Sequence, residues 1–329
     1  MASLRYLQAL NKALSDEMQR DPAVVVLGED VEQAARGLAR GLRDQFGPDR
    51  VRDTPISEAG FVGFATGAAM VGMRPVVEFQ INTMLYQAFD QMVNQAARLH
   101  LMSGGQVRVP VTYVFPASGA AFGNAGQHSD HPYTFLVHAG IKTVVPAGSN
   151  DAYGLLVTAV RDDDPVALFA PAALLGKRED VTDKPEAVPL GVGRVWRQGS
   201  DVTVVAIGHL VADALRASDA LSEEGISVEV WDPRSLLPFD FEGLAASVRK
   251  TGRLVVFDDT NRTAGFAAEV AAFAAEELLS YLKAPVERVT RADVTISYSL
   301  PLEAWALPSA DRLVAAVRRS MGGNYRWST

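Results

Sequence analysis

Arg52-Asp53-Thr54-Pro55-Ile56-Ser57-Glu58-Ala59-Gly60-Phe61-Val62-Gly63-Phe64-Ala65-Thr66-Gly67-Ala68-Ala69-Met70-Val71-Gly72 places a turn signal, a carboxylate and then a run of small residues at three- and four-residue spacing. Each glycine inside a helix costs up to about 1 kcal/mol relative to alanine. Several in one helix therefore imply a close backbone approach, either to a helix across a subunit interface or to the chain's own sheet. By position alone Glu58 reads as an exposed first-turn acid, favourably placed at the positive end of the helix dipole.

On both sides of this segment short Val-rich runs recur: Val24–Leu27, Val76–Phe79, Val111–Val114, Thr143–Val145, Val166–Phe169, Val202–Ile207, Val228–Trp231 and Leu254–Phe257. Such runs suit buried strands of a mostly parallel sheet. Helical patterns separate them, over Gln87–Met102, Asp151–Val160, Val211–Glu224 and Phe266–Leu282. The alternation predicts an α/β fold with crossover helices. The charged, proline-bearing stretch from Gly176 to Pro189 has no apolar periodicity and reads as a linker. Two domains are expected, over residues 1–178 and 190–329, joined through 179–189.

An excess of acidic over basic residues, 39 against 31, argues against general affinity for nucleic acid or an anionic membrane. The absence of cysteine excludes disulfides, thiolate metal sites and cysteine nucleophiles, and fits a cytoplasmic location. Leu4, Leu7, Leu10, Leu14 and Met18 recur at helical spacing among polar residues, which is not the pattern of a secretion signal. No run approaches the roughly 20 apolar residues that span a bilayer.

A longer pattern runs through the chain in fixed order. Gly28-Glu29-Asp30-Val31, Phe46-Gly47, Asp53 to Glu58, Arg74-Pro75-Val76-Val77-Glu78, Asp90-Gln91, Asn94, Ala96-Ala97, Ser103 to Gln106 and Gln127-His128-Ser129 make its first half. Asp201-Val202-Thr203-Val204, Asp232, Arg234, Pro238, Ser247, Lys250 to Arg253, Ala284-Pro285 and Arg288-Val289 continue it. The pattern resembles the beta subunits of pyruvate, branched-chain 2-oxoacid and acetoin dehydrogenases, themselves similar to the second half of transketolase. The resemblance implies a thiamine-diphosphate-binding pyrimidine-type domain followed by a transketolase C-terminal-like domain.

The same resemblance implies roles for particular residues. Glu58 matches the acid that hydrogen-bonds the aminopyrimidine of thiamine diphosphate, and His128 matches the histidine that assists the substrate and guides acyl transfer to lipoamide. Taken alone, His128 reads as an exposed loop histidine; His131 and His138 read as structural or surface residues. Glu29, otherwise an ordinary loop acid after the first strand, falls near the pyrimidine or in an acidic path between paired sites. Met84 stands where relatives carry an aromatic ring platform; a thioether can pack on a flat ring, and Tyr86 is the other candidate. Core packing is the plain alternative for both. Asp162-Asp163-Asp164 reads as a solvated turn, although some relatives hold a monovalent cation such as K+ there through the backbone of Val111, Ala159, Val160, Asp162 and Asp164.

The chain has no Gly-Asp-Gly, the motif that holds Mg2+ and the cofactor's diphosphate in this family. The resemblance therefore implies an alpha chain that completes the site in an α2β2 assembly, with a lipoyl-bearing acyltransferase as a further partner. Departures gather on the substrate side. An arginine common on the strand before Pro116 is Val114, an acid and a lysine common after the fifth strand are Ala170 and Ala172, and the usual prolines after Asp293 give way to Val294-Thr295-Ile296-Ser297. The glycine-rich segment after Asp30 is replaced by Glu32 to Gly37. A split transketolase-like or non-oxidative enzyme, and a non-catalytic scaffold, stand as alternatives to the 2-oxoacid dehydrogenase reading.

Overall fold

The computed structural model describes residues 2–119, 123–182 and 186–322. The chain divides into two compact units, one drawn from 1–121, 127–190 and 235–238, the other from 122–126, 191–234 and 239–329.

In the first unit the strands are β1 (Ala2–Arg5), β2 (Val24–Gly28), β3 (Val51–Asp53), β4 (Arg74–Glu78), β5 (Thr112–Ser118), β6 (Lys142–Val144), β7 (Val166–Pro171) and β8 (Arg178–Val181). In the second half of the chain β9 (Arg194–Arg197), β10 (Val202–Ala206), β11 (Val228–Asp232), β12 (Ser235–Leu237), β13 (Leu254–Asn261) and β14 (Glu287–Arg291) follow. The first unit's sheet has the order β12-β6-β7-β5-β4-β2-β3, parallel except where β12 pairs antiparallel with β6. The second unit's sheet runs β14-β13-β10-β11-β9, with only β9 antiparallel. The expected α/β architecture with mostly parallel sheets is present.

One face of the first sheet is covered by α1 (Tyr6–Arg20), whose Tyr6, Leu10, Leu14 and Met18 recur every fourth residue and are all buried. With Val24, Val26, Val76, Val114 and Leu168 they form the apolar core on that side. The other face is aromatic. Phe79 stacks on Phe115 at 4.7 Å, Phe115 on Phe169 at 4.5 Å, and Phe61 meets Phe79 edge-on at 5.5 Å. Phe61 belongs to the small-residue helix Glu58–Met70, so this aromatic row fixes that helix against the sheet.

Several expectations are modified. The helix expected over Gln87–Met102 is not uniform: Gln91–Ala97 winds more loosely, with i→i+5 bonding, before an ordinary turn over Arg98–Met102. The stretch after Gly176 begins as a strand, because β8 pairs antiparallel with β1. Farther on, Val188 is tied to the helix Ser149–Arg161: its amide donates to Gly154 O at 3.0 Å and its carbonyl accepts from Thr158 Oγ1 at 2.7 Å. A side chain on Gly154 would collide with Val188 and the Glu186 carbonyl, which accounts for a glycine inside that helix. Among the described residues no helix is long and apolar enough to cross a membrane.

Candidate active site

Glu58 opens its helix rather than decorating the surface. Only 3% of the residue is exposed, and the turn is closed by the Phe61 amide donating to Ser57 O at 2.9 Å. A Cβ on Gly60 would meet only the Ser57 side chain, 2.8 Å from its Oγ. The exposed first-turn acid suggested by position alone is thus replaced by a buried carboxyl anchored one turn before Phe61.

Glu29 follows β2 directly. Its Oε1 is buried with no hydrogen-bond partner among the described residues. Burial, then the charge of Glu58, then that of Asp30, hold the Glu29 carboxyl above its ordinary range. The structure therefore brings Glu29 and Glu58 into electrostatic contact at the carboxyl ends of the strands, where open α/β sheets bind ligands. Gly28 makes the approach possible: with φ +154°, it sits so close to β4 that a Cβ would be 2.2 Å from the Glu78 carbonyl oxygen.

The candidate ring platform and His128 are held together by one clasp. The tight turn Asn82–Tyr86 bonds the 127–130 segment at three points: Thr83 Oγ1 donates to Gln127 O, Asn82 Nδ2 donates to Asp130 O, and Tyr86 OH donates to Asp130 Oδ2 at 2.8 Å. His128 lies half-buried within the clasped segment. Tyr86 is further committed by edge-on packing against Phe135, with ring centroids 5.7 Å apart. Met84 is half-buried, and its sulfur accepts a weak contact from Gln87 Nε2 at 3.8 Å. Asn82 Oδ1 is buried and has no partner among the described residues.

The Asp162–Asp164 turn is ion-paired rather than merely solvated. Lys142 Nζ reaches Asp162 Oδ1 at 2.8 Å and Asp164 Oδ2 at 3.0 Å, while Arg74 Nη2 reaches Asp163 Oδ1 at 2.5 Å. Arg74 Nη1 also donates to the carbonyls of Val160 and Asp162, Val111 O accepts from the Val166 amide, and Ala159 O accepts from the Asp162 amide. Arg74 thus bonds two of the carbonyls expected to hold a monovalent ion, while Lys142 and Arg108 pair the side chains of the turn.

Sequence reading passed over Glu78, quoted only as part of a matching run. It is 1% exposed, and neither carboxyl oxygen has a partner among the described residues. Burial pushes it up to about 8, opposed by the charge of Arg36. In the sheet it lies opposite Gly28 on one side and Val114 on the other. Val114 therefore sets no cation beside it. A lone acid inside the apolar run Val76-Val77-Glu78-Phe79 was the signal available in the sequence.

Comparison with known proteins agrees with this arrangement. Residues 2–177 match the transketolase pyrimidine binding domain and residues 191–313 the transketolase C-terminal domain. The chain is 44% identical to the pyruvate dehydrogenase E1 component subunit beta-2, mitochondrial, of Oryza sativa subsp. japonica, covering 95% of this chain and 85% of that protein. It is 43% identical to the pyruvate dehydrogenase E1 component subunit beta of Rickettsia bellii, covering 95% and 97%. Among solved structures, a split-gene transketolase described as an inactive beta4 tetramer superposes with a TM-score of 0.80 at 25% identity, over 97% of this chain and 99% of that one. Two transketolase-type domains in succession, matched over nearly their full length by pyruvate dehydrogenase beta subunits, place this chain in the family of thiamine-diphosphate-dependent E1 component beta subunits.

Proposed function

We propose that the chain is the beta subunit of a cytoplasmic 2-oxoacid dehydrogenase that works with an alpha chain as an α2β2 heterotetramer. Its reaction is the oxidative decarboxylation of a small 2-oxoacid, coupled to acylation of a lipoyl group on an acyltransferase partner. The bond to the carboxyl carbon breaks and releases carbon dioxide. The lipoyl disulfide is reduced, one sulfur taking the acyl group and the other a proton.

The observation that carries this reading is the buried Glu58, pressed electrostatically against Glu29 at the carboxyl ends of the strands. The unpartnered oxygens of Glu29 and Asn82 suit a ligand that presents polar ring atoms. Thiamine diphosphate supplies a nucleophilic carbon and an electron sink when bound. Glu58 would hydrogen-bond the aminopyrimidine ring nitrogen, with Glu29 as the second acid near it. Met84 provides the apolar platform, because Tyr86 is already engaged by Phe135 and Asp130. His128, fixed by the Asn82–Tyr86 clasp, acts on the substrate side as general acid or base.

The diphosphate and Mg2+ belong to the alpha chain, since no Gly-Asp-Gly is present here. A partner surface is available: Gly67 has no atom within 4 Å of where its Cβ would be, and Phe64 and Val71 are 63% and 82% exposed. No step in this mechanism uses a monovalent cation.

The test is reconstitution with an alpha chain bearing Gly-Asp-Gly, thiamine diphosphate, Mg2+, a panel of 2-oxoacids and a lipoylated acceptor. Acyl-lipoyl product is expected from the wild-type complex and none from Glu58→Ala. Turnover of sugar phosphates without acyl-lipoyl product would sink the reading in favour of ketol transfer.

A further inference from the structure

The loop that leaves β2 at Glu29 is tied back by a two-step relay. Arg36 Nε donates to Gln80 Oε1 at 3.2 Å, and Gln80 Nε2 donates to the Glu29 carbonyl. Two residues before Gln80, the Glu78 carboxyl is buried with both oxygens unpartnered among the described residues. Its neighbours in register on the flanking strands, Gly28 and Val114, have no polar side chain. Arg36 is the charged group that acts on it. The loop's other charges are directed elsewhere: Glu32 pairs with Arg43, and Asp30 acts on Glu29.

We infer that Arg36 and Gln80 are positioning residues that hold the backbone of Glu29, and that Glu78 is the alternative seat for the Arg36 guanidinium. The inference rests on the proposed place of Glu29 beside Glu58 on the pyrimidine side of the site. A guanidinium bonds a carboxylate roughly twice as strongly as it bonds a neutral amide oxygen. A neutral Glu78 leaves Arg36 on Gln80; a charged one draws it off and frees the Glu29 carbonyl. Because burial pushes Glu78 up to about 8, the relay should be closed at neutral pH and open in mild alkali.

The test is amide hydrogen exchange of the full chain, without cofactor, at pH 7 and 9 and corrected for intrinsic exchange. Glu78 passes from about nine-tenths neutral to about nine-tenths charged over that range, so protection of the amides from Glu29 to Arg36 falls by up to about tenfold. Glu78→Gln should abolish the pH dependence. Arg36→Met and Gln80→Leu should show the low protection already at pH 7. A Glu78→Gln chain that keeps the wild-type pH dependence overturns the inference, as does an Arg36→Met chain with full protection at pH 7. In the αβ complex the same variants should raise the KM for thiamine diphosphate, with the alkaline limb of kcat/KM missing in Glu78→Gln. A complex that turns over no 2-oxoacid overturns the proposed function, while the exchange result still decides the relay.

Discussion

Replacing Glu78 with glutamine should flatten the pH dependence of stability in the first unit. The carboxyl's ordinary value of 4.5 rises to about 8 on folding, because burial opposes its charge more than Arg36 favours it. Between those limits the folded chain keeps a proton that the unfolded chain has released. The contribution of this group is therefore fully present below about pH 4.5 and is lost as pH rises through 8. A tenfold difference in proton affinity between the folded and unfolded chain corresponds to about 1.4 kcal/mol, which bounds the whole effect at about 5 kcal/mol. From pH 6 to pH 8 the expected loss is about 2 kcal/mol. Urea unfolding at pH 6, 7 and 8, followed by a probe in the first unit, measures it. The wild-type transition should weaken by that amount relative to the Glu78→Gln transition, whatever the variant's absolute stability. Parallel pH profiles for the two proteins would refute the claim that Glu78 is buried and neutral.

Gly28→Ala should destabilise the chain by roughly 2–4 kcal/mol in chemical denaturation, because the new Cβ meets the Glu78 carbonyl at 2.2 Å and the backbone φ is +154°. In the second unit, Lys250→Met removes the cation from Glu229, which is 1% exposed and is left with Ser247 and the Gly199 amide. Because Lys250 is itself 42% exposed, a loss of about 2 kcal/mol is expected, below that of a fully buried pair, and adding Glu229→Gln should recover part of it. Exchanging K+ for choline should leave the melting temperature unchanged, since Lys142, Arg74 and Arg108 already pair the three acids of the Asp162–Asp164 turn. A K+-specific rise in melting temperature would show a cation site the ion pairs do not exclude.

The parts of the fold legible in the sequence were those that bury their own apolar pattern. Val24–Leu27, Val166–Phe169 and Val202–Ile207 read as strands because both faces of each are covered, and β2, β7 and β10 lie there. Strands with exposed or charged faces escaped. Arg178–Val181 owes its conformation to pairing with Ala2–Arg5, a long-range contact that no local pattern announces. The same holds for the site. Glu58 could be found because its neighbours form a motif, but its burial appears only once its helix is packed on the sheet, where Phe61 meets Phe79. Arg36, Gln80 and Glu29 are distant in sequence and polar, so their connection exists only once β2 and β4 are side by side.

Glu78 also gives Val114, which lies opposite it in the sheet, a testable role. Losing an arginine beside a buried carboxylate leaves an unpaired charge, which in a core costs several kcal/mol. Val114 offers the acid no cation and Ala170 on the same core side adds no charge, while burial pushes the Glu78 carboxyl up to about 8. Apolar side chains and one buried acid therefore share the core face that also carries Val76 and Leu168. Val114→Arg should restore the charged form of Glu78 and with it a stability that no longer declines between pH 6 and 8. If the decline persists in that variant while the chain remains folded, the missing cation is not the reason Glu78 is neutral.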